Sequence, residues 1–126
     1  METSPKRILV VDDDESIRGI VSQMISVLGY EVVSADSGEN GLNLFLKNRF
    51  DLVITDLDMP GMKGLDLAGL IKKKSPYTLV ILMTGQDKEL IQTKIRDSSV
   101  DHALFKPFGL MEFEETLQGL LNPCIA

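Results

Sequence analysis

Carboxylates, a hydroxyl and an amine follow apolar segments of this chain at the points where those segments end. They are Asp12 and Asp13, Asp56, Thr84, and Lys106. A carboxylate can attack phosphorus as a nucleophile, and neighbouring carboxylates suit Mg²⁺, which prefers oxygen ligands. A lysine ammonium and a hydroxyl can stabilise the oxygens of a phosphoryl group. These residue types therefore suggest metal-assisted phosphoryl transfer, with Asp56 as the candidate reactive group.

The segment around Asp56 has the pattern of a strand that runs into a turn. An apolar run, 52–54, stops at Asp56, and the turn residues Pro60, Gly61 and Gly64 follow. In open α/β folds, ligands bind outside the carboxyl ends of the strands, so such a carboxylate is presented where a ligand arrives.

Five short apolar segments predict the strands that position these groups: Lys6–Val11, Glu31–Ser34, Asp51–Thr55, Thr78–Met83 and Asp101–Phe105. Between and after them, apolar residues recur at helical spacing and predict five helices. Gly29 is a stop signal for the first helix, Ser37 an N-cap for the second, and the fourth is predicted over Asp87–Asp97. Alternating strands and helices predict a parallel sheet covered by helices on both faces.

The carboxyl ends of parallel strands lie on one edge of a sheet, so the candidate groups are expected to meet there. Taken singly, each has a structural explanation: an acidic first helical turn, a turn former, a strand terminator or a surface cation. Their shared edge favours the functional interpretation, since accidental placement would scatter them over both edges. Carboxylates about 4 Å apart repel by roughly 4 kcal/mol near a protein surface, so this group requires a compensating cation.

Composition limits the function classes. A length of 126 residues with 44% hydrophobic residues predicts one domain over 1–126, with a core of about 6–121 and loose ends at 1–5 and 122–126. A net charge of −6 argues against nucleic-acid binding, and the basic run 72–74 is expected to be the solvated end of a helix. No apolar run approaches the roughly 20 residues of a membrane span, so a cytoplasmic location is expected. A single cysteine, Cys124, excludes an internal disulfide, and a single histidine, His102, excludes a histidine-rich metal site.

Four motifs in order strongly resemble the receiver domain of two-component response regulators. They are Val10-Val11-Asp12-Asp13-Asp14, the segment 56–64, Met83-Thr84-Gly85 and Lys106-Pro107-Phe108, and the likeness extends from Ile8 to about Leu121. The resemblance implies a flavodoxin-like (βα)5 three-layer sandwich with strand order 2-1-3-4-5. It also implies transfer of a phosphoryl group to Asp56 from a phosphohistidine, on a sensor histidine kinase or a histidine phosphotransfer protein. Such a domain is not a turnover enzyme, although it promotes its own phosphorylation and dephosphorylation.

The resemblance assigns roles by motif position. Asp13 and the Asp56 carboxylate would ligate Mg²⁺, or Mn²⁺ in its place, with Asp12 acting mostly through water and Asp58 through its backbone carbonyl. The resemblance also implies that Thr84 and Lys106 hold the phosphoryl oxygens and that the peptide bond before Pro107 is cis.

One departure from the family pattern concerns how the signal is read. Receivers commonly carry an aromatic residue three positions before the lysine, where this chain has Ala103. Strand alternation puts Phe105 on the same face and His102 on the other, so Phe105 is the better substitute. Phosphorylation is expected to switch the face formed by the fourth helix, fifth strand and fifth helix, for a downstream protein, an output domain or a homodimer. Asp58 and Gln86 are expected to lie at the rim and to modulate the phosphoryl lifetime.

Other function classes fit less well. Asp56-Leu57-Asp58 also matches the Asp-x-Asp of haloacid-dehalogenase-like phosphatases, but those enzymes place the motif after the first strand and need a longer chain. A phosphorylation-independent pseudo-receiver that only binds partners is disfavoured because the full set of phosphorylation residues is present. The first strand lacks a glycine-rich phosphate loop, which argues against flavin or dinucleotide binding.

Overall fold

Five strands and five helices alternate along the chain in the computed structural model, which describes residues 5–122. They are β1 (Arg7–Val11), α1 (Glu15–Val27), β2 (Glu31–Ala35), α2 (Gly38–Lys47), β3 (Leu52–Asp56), α3 (Gly64–Lys74), β4 (Leu79–Thr84), α4 (Lys88–Arg96), β5 (His102–Phe105) and α5 (Leu110–Leu121). The predicted order of elements is confirmed. Most of the predicted loose ends, residues 1–4 and 123–126 with Cys124, lie outside the described residues.

All four strand pairs are parallel, and the sheet order is β2-β1-β3-β4-β5. This arrangement confirms the flavodoxin-like three-layer fold with strand order 2-1-3-4-5. β2 lies on one side of β1, and β3, β4 and β5 lie on the other. The direction in which the chain adds strands to the sheet therefore reverses between β1 and β3. A crevice outside the carboxyl ends of these two strands is the place where such folds bind ligands.

The continuous apolar runs of the three central strands, β1, β3 and β4, are buried on both faces of the sheet. Ile8 and Val10 belong to the core under α1 and α5, whereas Leu9 and Val11 belong to the core under α2 and α3. All five residues of β3 are buried. Burial of one large apolar side chain contributes about 1.5–3 kcal/mol, so this central strand is a firmly held base for a reactive side chain.

A third, smaller apolar cluster holds α4 against the sheet. Its buried members are Leu57, Leu82 and Ile91, and Ala103 and Phe105 pack against it while partly buried. We call these five residues the α4 cluster. Ile91 is the only residue of α4 that is buried, and Ile95 packs against the same cluster while partly buried, so this helix buries fewer residues than α1 or α3.

The third and fourth strands lie one residue later than predicted, at Leu52–Asp56 rather than 51–55 and at Leu79–Thr84 rather than 78–83. Asp51 is outside the strand because its carboxylate accepts a hydrogen bond from the backbone N–H of Arg7, at 2.8 Å. Asp56 is the last residue of β3 and is paired with Met83. Asp56 and Thr84 are therefore fixed by the sheet itself rather than by the loops that follow.

The lysines at 72–74 form the last turn of α3, as predicted, but they are not all solvated. The ammonium of Lys72 lies 2.6 Å from a carboxylate oxygen of Asp101, and its side chain is 17% exposed. Asp101 also accepts a hydrogen bond from the backbone N–H of Val80, so the ion pair ties the end of α3 to the start of β5. Within residues 5–122, no helix is long and apolar enough to cross a bilayer.

Candidate functional site

Three carboxylates meet at the crevice between β1 and β3. Asp12 and Asp13 follow β1, and Asp56 ends β3. One carboxylate oxygen from each lies within 4.8 Å of the others. Asp12 is fully buried, Asp56 is 8% exposed, and Asp13 is exposed. The predicted convergence of these residues is confirmed. The site they form is buried on the side of Asp12 and open to solvent on the side of Asp13.

The acidic residues in the loop from β1 to α1 have two different roles, one in the carboxylate site and one in capping α1. Asp14 is the N-cap of α1, because its carboxylate accepts hydrogen bonds from the backbone N–H groups of Ser16 and Ile17. The backbone N–H of Asp14 in turn donates to Oδ1 of Asp12, at 2.9 Å. Of Asp12, Asp13 and Asp14, only Asp14 therefore serves as the acidic start of a helix.

Arg18 is a functional neighbour that the sequence reasoning missed. Its guanidinium donates a hydrogen bond to the backbone carbonyl of Asp12, at 2.9 Å. This bond holds the peptide that joins Asp12 to Asp13. An arginine one turn into a helix that begins with an acidic run is the signal that could have identified it.

Lys106 supplies the cation of the site. Its ammonium lies 3.2 Å from Oδ1 of Asp56 and 3.8 Å from Oδ2 of Asp12. Its backbone N–H donates to the carbonyl of Thr84, at 2.8 Å, which continues the pairing of β5 with β4. The peptide bond between Lys106 and Pro107 is cis, as the resemblance implied.

The electrostatics favour an additional cation. Burial raises the pKa of Asp12, and the pKa of Asp56 is raised first by burial and then by the negative charge of Asp12. Lys106 opposes both increases, but it is one cation against three carboxylates. Oδ2 of Asp12 is buried and has no hydrogen-bond partner among the described residues. An oxygen-only donor set with an unused buried acceptor suits a hydrated Mg²⁺ ion.

Thr84 is buried at the end of β4, and Gln86 holds its hydroxyl. The backbone N–H of Gln86 donates to Oγ1 of Thr84, at 3.0 Å. The side-chain amide of Gln86 donates to a carboxylate oxygen of Asp58, at 2.8 Å. The two predicted rim residues are therefore in direct contact, and Gln86 connects them to Thr84.

The loop from β3 to α3 is built by close backbone contacts. Gly64 donates its N–H to the carbonyl of Leu57, and a Cβ atom at this position would overlap the carbonyl oxygen of Asp56. Gly61 has a φ of 76°, a conformation that favours glycine. Glu39, in the first turn of α2, accepts a hydrogen bond from the backbone N–H of Met62, at 3.1 Å. Sequence reasoning missed this contact of Glu39, and the ligand role of the Asp58 carbonyl stays a prediction.

Ala103 and Phe105 lie on the face of β5 that packs against α4, whereas His102 is exposed. Phe105 is paired with Thr84 across the two strands. The ammonium of Lys88, the first residue of α4, lies 5.9 Å from the centre of the Phe105 ring. The predicted shared face of Ala103 and Phe105 is confirmed, and Phe105 lies between Thr84 and the start of α4.

Comparisons with known proteins agree with this geometry. The family model of the response regulator receiver domain matches residues 8–118. A probable transcriptional regulator, ycf27 of Cyanophora paradoxa, is 36% identical over 122 residues, which cover 97% of this chain and 51% of that protein. The autoinducer 1 sensor kinase/phosphatase LuxN of Vibrio campbellii is 33% identical over 115 residues, 91% of this chain and 13% of that protein. The chain thus spans about half the length, or less, of these curated relatives.

Solved structures show the same likeness. Chemotaxis protein CheY4 of Vibrio cholerae superposes with a TM-score of 0.86 at 31% identity, covering 93% of this chain and 99% of that one. Response regulator TrrA of Thermotoga maritima, solved in complex with Mg²⁺-BeF, gives a TM-score of 0.84 at 36% identity, with coverage of 91% and 98%. Receiver domains are signalling domains that bind Mg²⁺ at an acidic pocket and interact with sensor kinases and output domains. This chain belongs to the response regulator receiver domain family.

Proposed function

We propose that Asp56 accepts a phosphoryl group from a phosphohistidine, on a sensor histidine kinase or a histidine phosphotransfer protein in the cytoplasm. The observation that carries this proposal is the convergence of Asp12, Asp13 and Asp56, with the ammonium of Lys106 beside Asp12 and Asp56. Asp56 ends a fully buried strand at the crevice, so its carboxylate is firmly held at the place where folds of this type bind their ligands.

The donor set indicates how Mg²⁺ would be held. Asp13 and Asp56 would contribute carboxylate oxygens, Asp58 its backbone carbonyl, and Asp12 would act mostly through water. When bound, the ion offsets the negative charge that the carboxylates and the incoming phosphoryl oxygens bring together. The open side of the site at Asp13 leaves space for water ligands, which Mg²⁺ retains in proteins.

The transfer is a substitution at phosphorus. A carboxylate oxygen of Asp56 forms a bond to phosphorus while the bond from phosphorus to the imidazole nitrogen breaks, and the electron pair of that bond stays on the imidazole. The Lys106 ammonium is already 3.2 Å from the Asp56 carboxylate, so it can pair with a phosphoryl oxygen once phosphorus is bound to Asp56. The Thr84 hydroxyl donates to another oxygen. The product stays attached to Asp56 until water attacks it, so the domain is not a turnover enzyme.

The hydrogen bond that Gln86 donates to Asp58 is proposed to modulate the lifetime of the phosphorylated state. These side chains meet across the rim, where an attacking water has to approach. The backbone of Gln86 also holds the Thr84 hydroxyl, so a rotation of Thr84 toward the phosphoryl group breaks that hydrogen bond. Rim geometry and the position of Thr84 are therefore coupled through Gln86.

Phe105 is proposed to carry the change from Thr84 to the face formed by α4, β5 and α5. It is paired with Thr84, packs in the α4 cluster, and lies under the Lys88 ammonium. Ala103, at the position where the family commonly has an aromatic side chain, is too small to make this connection. The altered face would then bind a downstream protein, an output domain or a second copy of the chain.

Intact mass spectrometry tests the chemistry. After incubation with a small-molecule phosphodonor and Mg²⁺, we expect the mass to increase by one phosphate. Asp56→Asn or removal of Mg²⁺ should abolish the increase, while Glu115→Gln, an exposed change with the same loss of charge, should retain it. A wild-type chain that gains no phosphate, or an Asp56→Asn chain that gains one, would contradict the proposal.

A further inference from the structure

A groove with basic walls lies at the end of the sheet where the strands begin, opposite the end that carries Asp56. It is formed by the end of α2, the loop that leads into β3, and the end of α3, and it encloses about 380 Å³. We call it the basic groove, and the residues that matter for it are Phe45, Leu46, Lys47, Arg49, Phe50 and Lys74. Since this edge carries the amino ends of the strands, the phosphorylation chemistry does not use it.

Three cations of the basic groove are exposed and unpaired. In the part of the chain from residue 5 to 122, no carboxylate lies within 4.0 Å of the charged groups of Lys47, Arg49 or Lys74. No carboxylate lines the groove either. The concentration of positive charge is unusual in a chain whose net charge is −6.

Helix dipoles account for only part of this charge. The carboxyl ends of α2 and α3 both point to this edge, and each carries about half a negative charge. Two such ends offset about one of the three cations. About two positive charges are not offset by protein groups, so an anionic ligand would find charge with which to pair.

The floor of the groove is apolar and firm. The rings of Phe45 and Phe50 stack with their centres 6.4 Å apart, and both residues are buried. Leu46 is 53% exposed beside Lys47. An exposed leucine in the same groove as the cations suits a ligand that combines carboxylates with an apolar side chain.

We propose that the basic groove binds an acidic peptide segment of a partner protein, with one apolar side chain of that segment packed on Leu46. The carboxylates of the segment would pair with Lys47, Arg49 and Lys74. Because the groove and Asp56 lie at opposite edges of the sheet, this partner can be bound while Asp56 is phosphorylated or free.

An NMR titration of the whole chain tests the assignment, with a short peptide of glutamates around one leucine as the probe. We expect amide shifts to change at 45–50 and 73–78. Exposed ion pairs are screened by salt, so the affinity should fall at least about fivefold between about 0.02 M and 0.5 M salt. The same peptide with glutamines in place of glutamates should leave these shifts unchanged.

Variants separate the groove from net charge. Lys47→Gln combined with Arg49→Gln should weaken binding by about tenfold. The control, Lys94→Gln combined with Arg96→Gln, removes the same charge at the exposed end of α4 and should keep the affinity within about twofold of wild type. Leu46→Ser should weaken binding of the leucine peptide but not of an all-glutamate peptide.

Four outcomes would overturn the proposal. The first is the absence of shifts at millimolar peptide, and the second is equal shifts with the glutamine peptide. An equal loss of affinity in both double variants would show a response to net charge alone. Sulfate that produces the same shifts at the same concentrations as the peptide would identify an inorganic anion site instead.

Discussion

Asp12 and Asp56 are both buried and close together, so the free energy of ionising Asp56 depends on whether Asp12 is charged. Burial raises both pKa values, and the charge of Asp12 raises that of Asp56 further. The folded chain therefore binds these protons more tightly than the unfolded chain does. It follows that the stability of the metal-free protein increases as the pH falls through the range of the raised pKa values, and that this contribution is lost as the pH rises above it.

Replacing Asp56 with asparagine removes one of the repelling charges and keeps the shape of the side chain. We expect Asp56→Asn to raise the free energy of unfolding at neutral pH without Mg²⁺ by about 1 kcal/mol. Urea denaturation measures this difference, and it should shrink in acid, where the wild-type carboxylates become protonated. Glu115→Gln, an exposed change of equal charge, should alter stability little, and a destabilised Asp56→Asn protein would contradict the electrostatic account.

Phe105 is the residue on which the proposed route to α4 depends. Phe105→Ala should leave phosphorylation of Asp56 intact but abolish most of the phosphorylation-dependent amide shift changes in α4, because the contact with Lys88 and the α4 cluster is lost. His102→Ala, an exposed position on the opposite face of the same strand, is the matched control and should retain those changes. Unaltered α4 shift changes in Phe105→Ala would exclude Phe105 as the connection.

At the level of the elements, the sequence predicts the order of strands and helices because each has a strong local signal. The apolar run of β1 and the cap residue Ser37 are examples that the structure confirms. The contacts made by Arg18 and Glu39 could not be read in the same way. They depend on the direction of long side chains toward backbone atoms, which apolar periodicity does not encode. The shift of β3 to Leu52–Asp56 has a similar cause, the use of the Asp51 side chain by Arg7.

The β3 to α3 loop depends on Gly64 for its contact with the strand end. In Gly64→Ala, the added Cβ would overlap the carbonyl oxygen of Asp56, and the neighbour that must move is backbone. We expect a loss of about 2–3 kcal/mol in the free energy of unfolding, and slower phosphorylation because Asp56 is displaced.

Gly19→Ala is the control for that substitution. Gly19 lies inside α1, and a Cβ atom there meets nothing within 4 Å. Alanine should stabilise this helix by about 0.5–1 kcal/mol. Thermal unfolding of both variants measures the contrast, and equal effects at the two positions would show that Gly64 is not a site of close approach.

For the whole molecule, Mg²⁺ binding should act as a stabilising linkage. An ion that binds only the folded state stabilises it by about 1.4 kcal/mol for each tenfold increase in concentration above its dissociation constant. We expect the unfolding temperature to rise with Mg²⁺ in the wild type and in Glu115→Gln, but to respond little in Asp13→Asn. A rise in unfolding temperature as large in Asp13→Asn as in the wild type would show that Asp13 does not ligate the ion.

The small size of the α4 cluster has a thermodynamic consequence for signalling. Ile91 is the one buried residue of α4, and Ile95 packs beside it while partly buried, so detachment of this helix exposes little apolar surface and should cost less free energy than global unfolding. Amide hydrogen exchange should therefore be faster in α4 than in α3, which buries four residues. Phosphorylation can then transmit its signal as a change in how often α4 is open, and protection factors would record that change even where the average position of the helix stays the same.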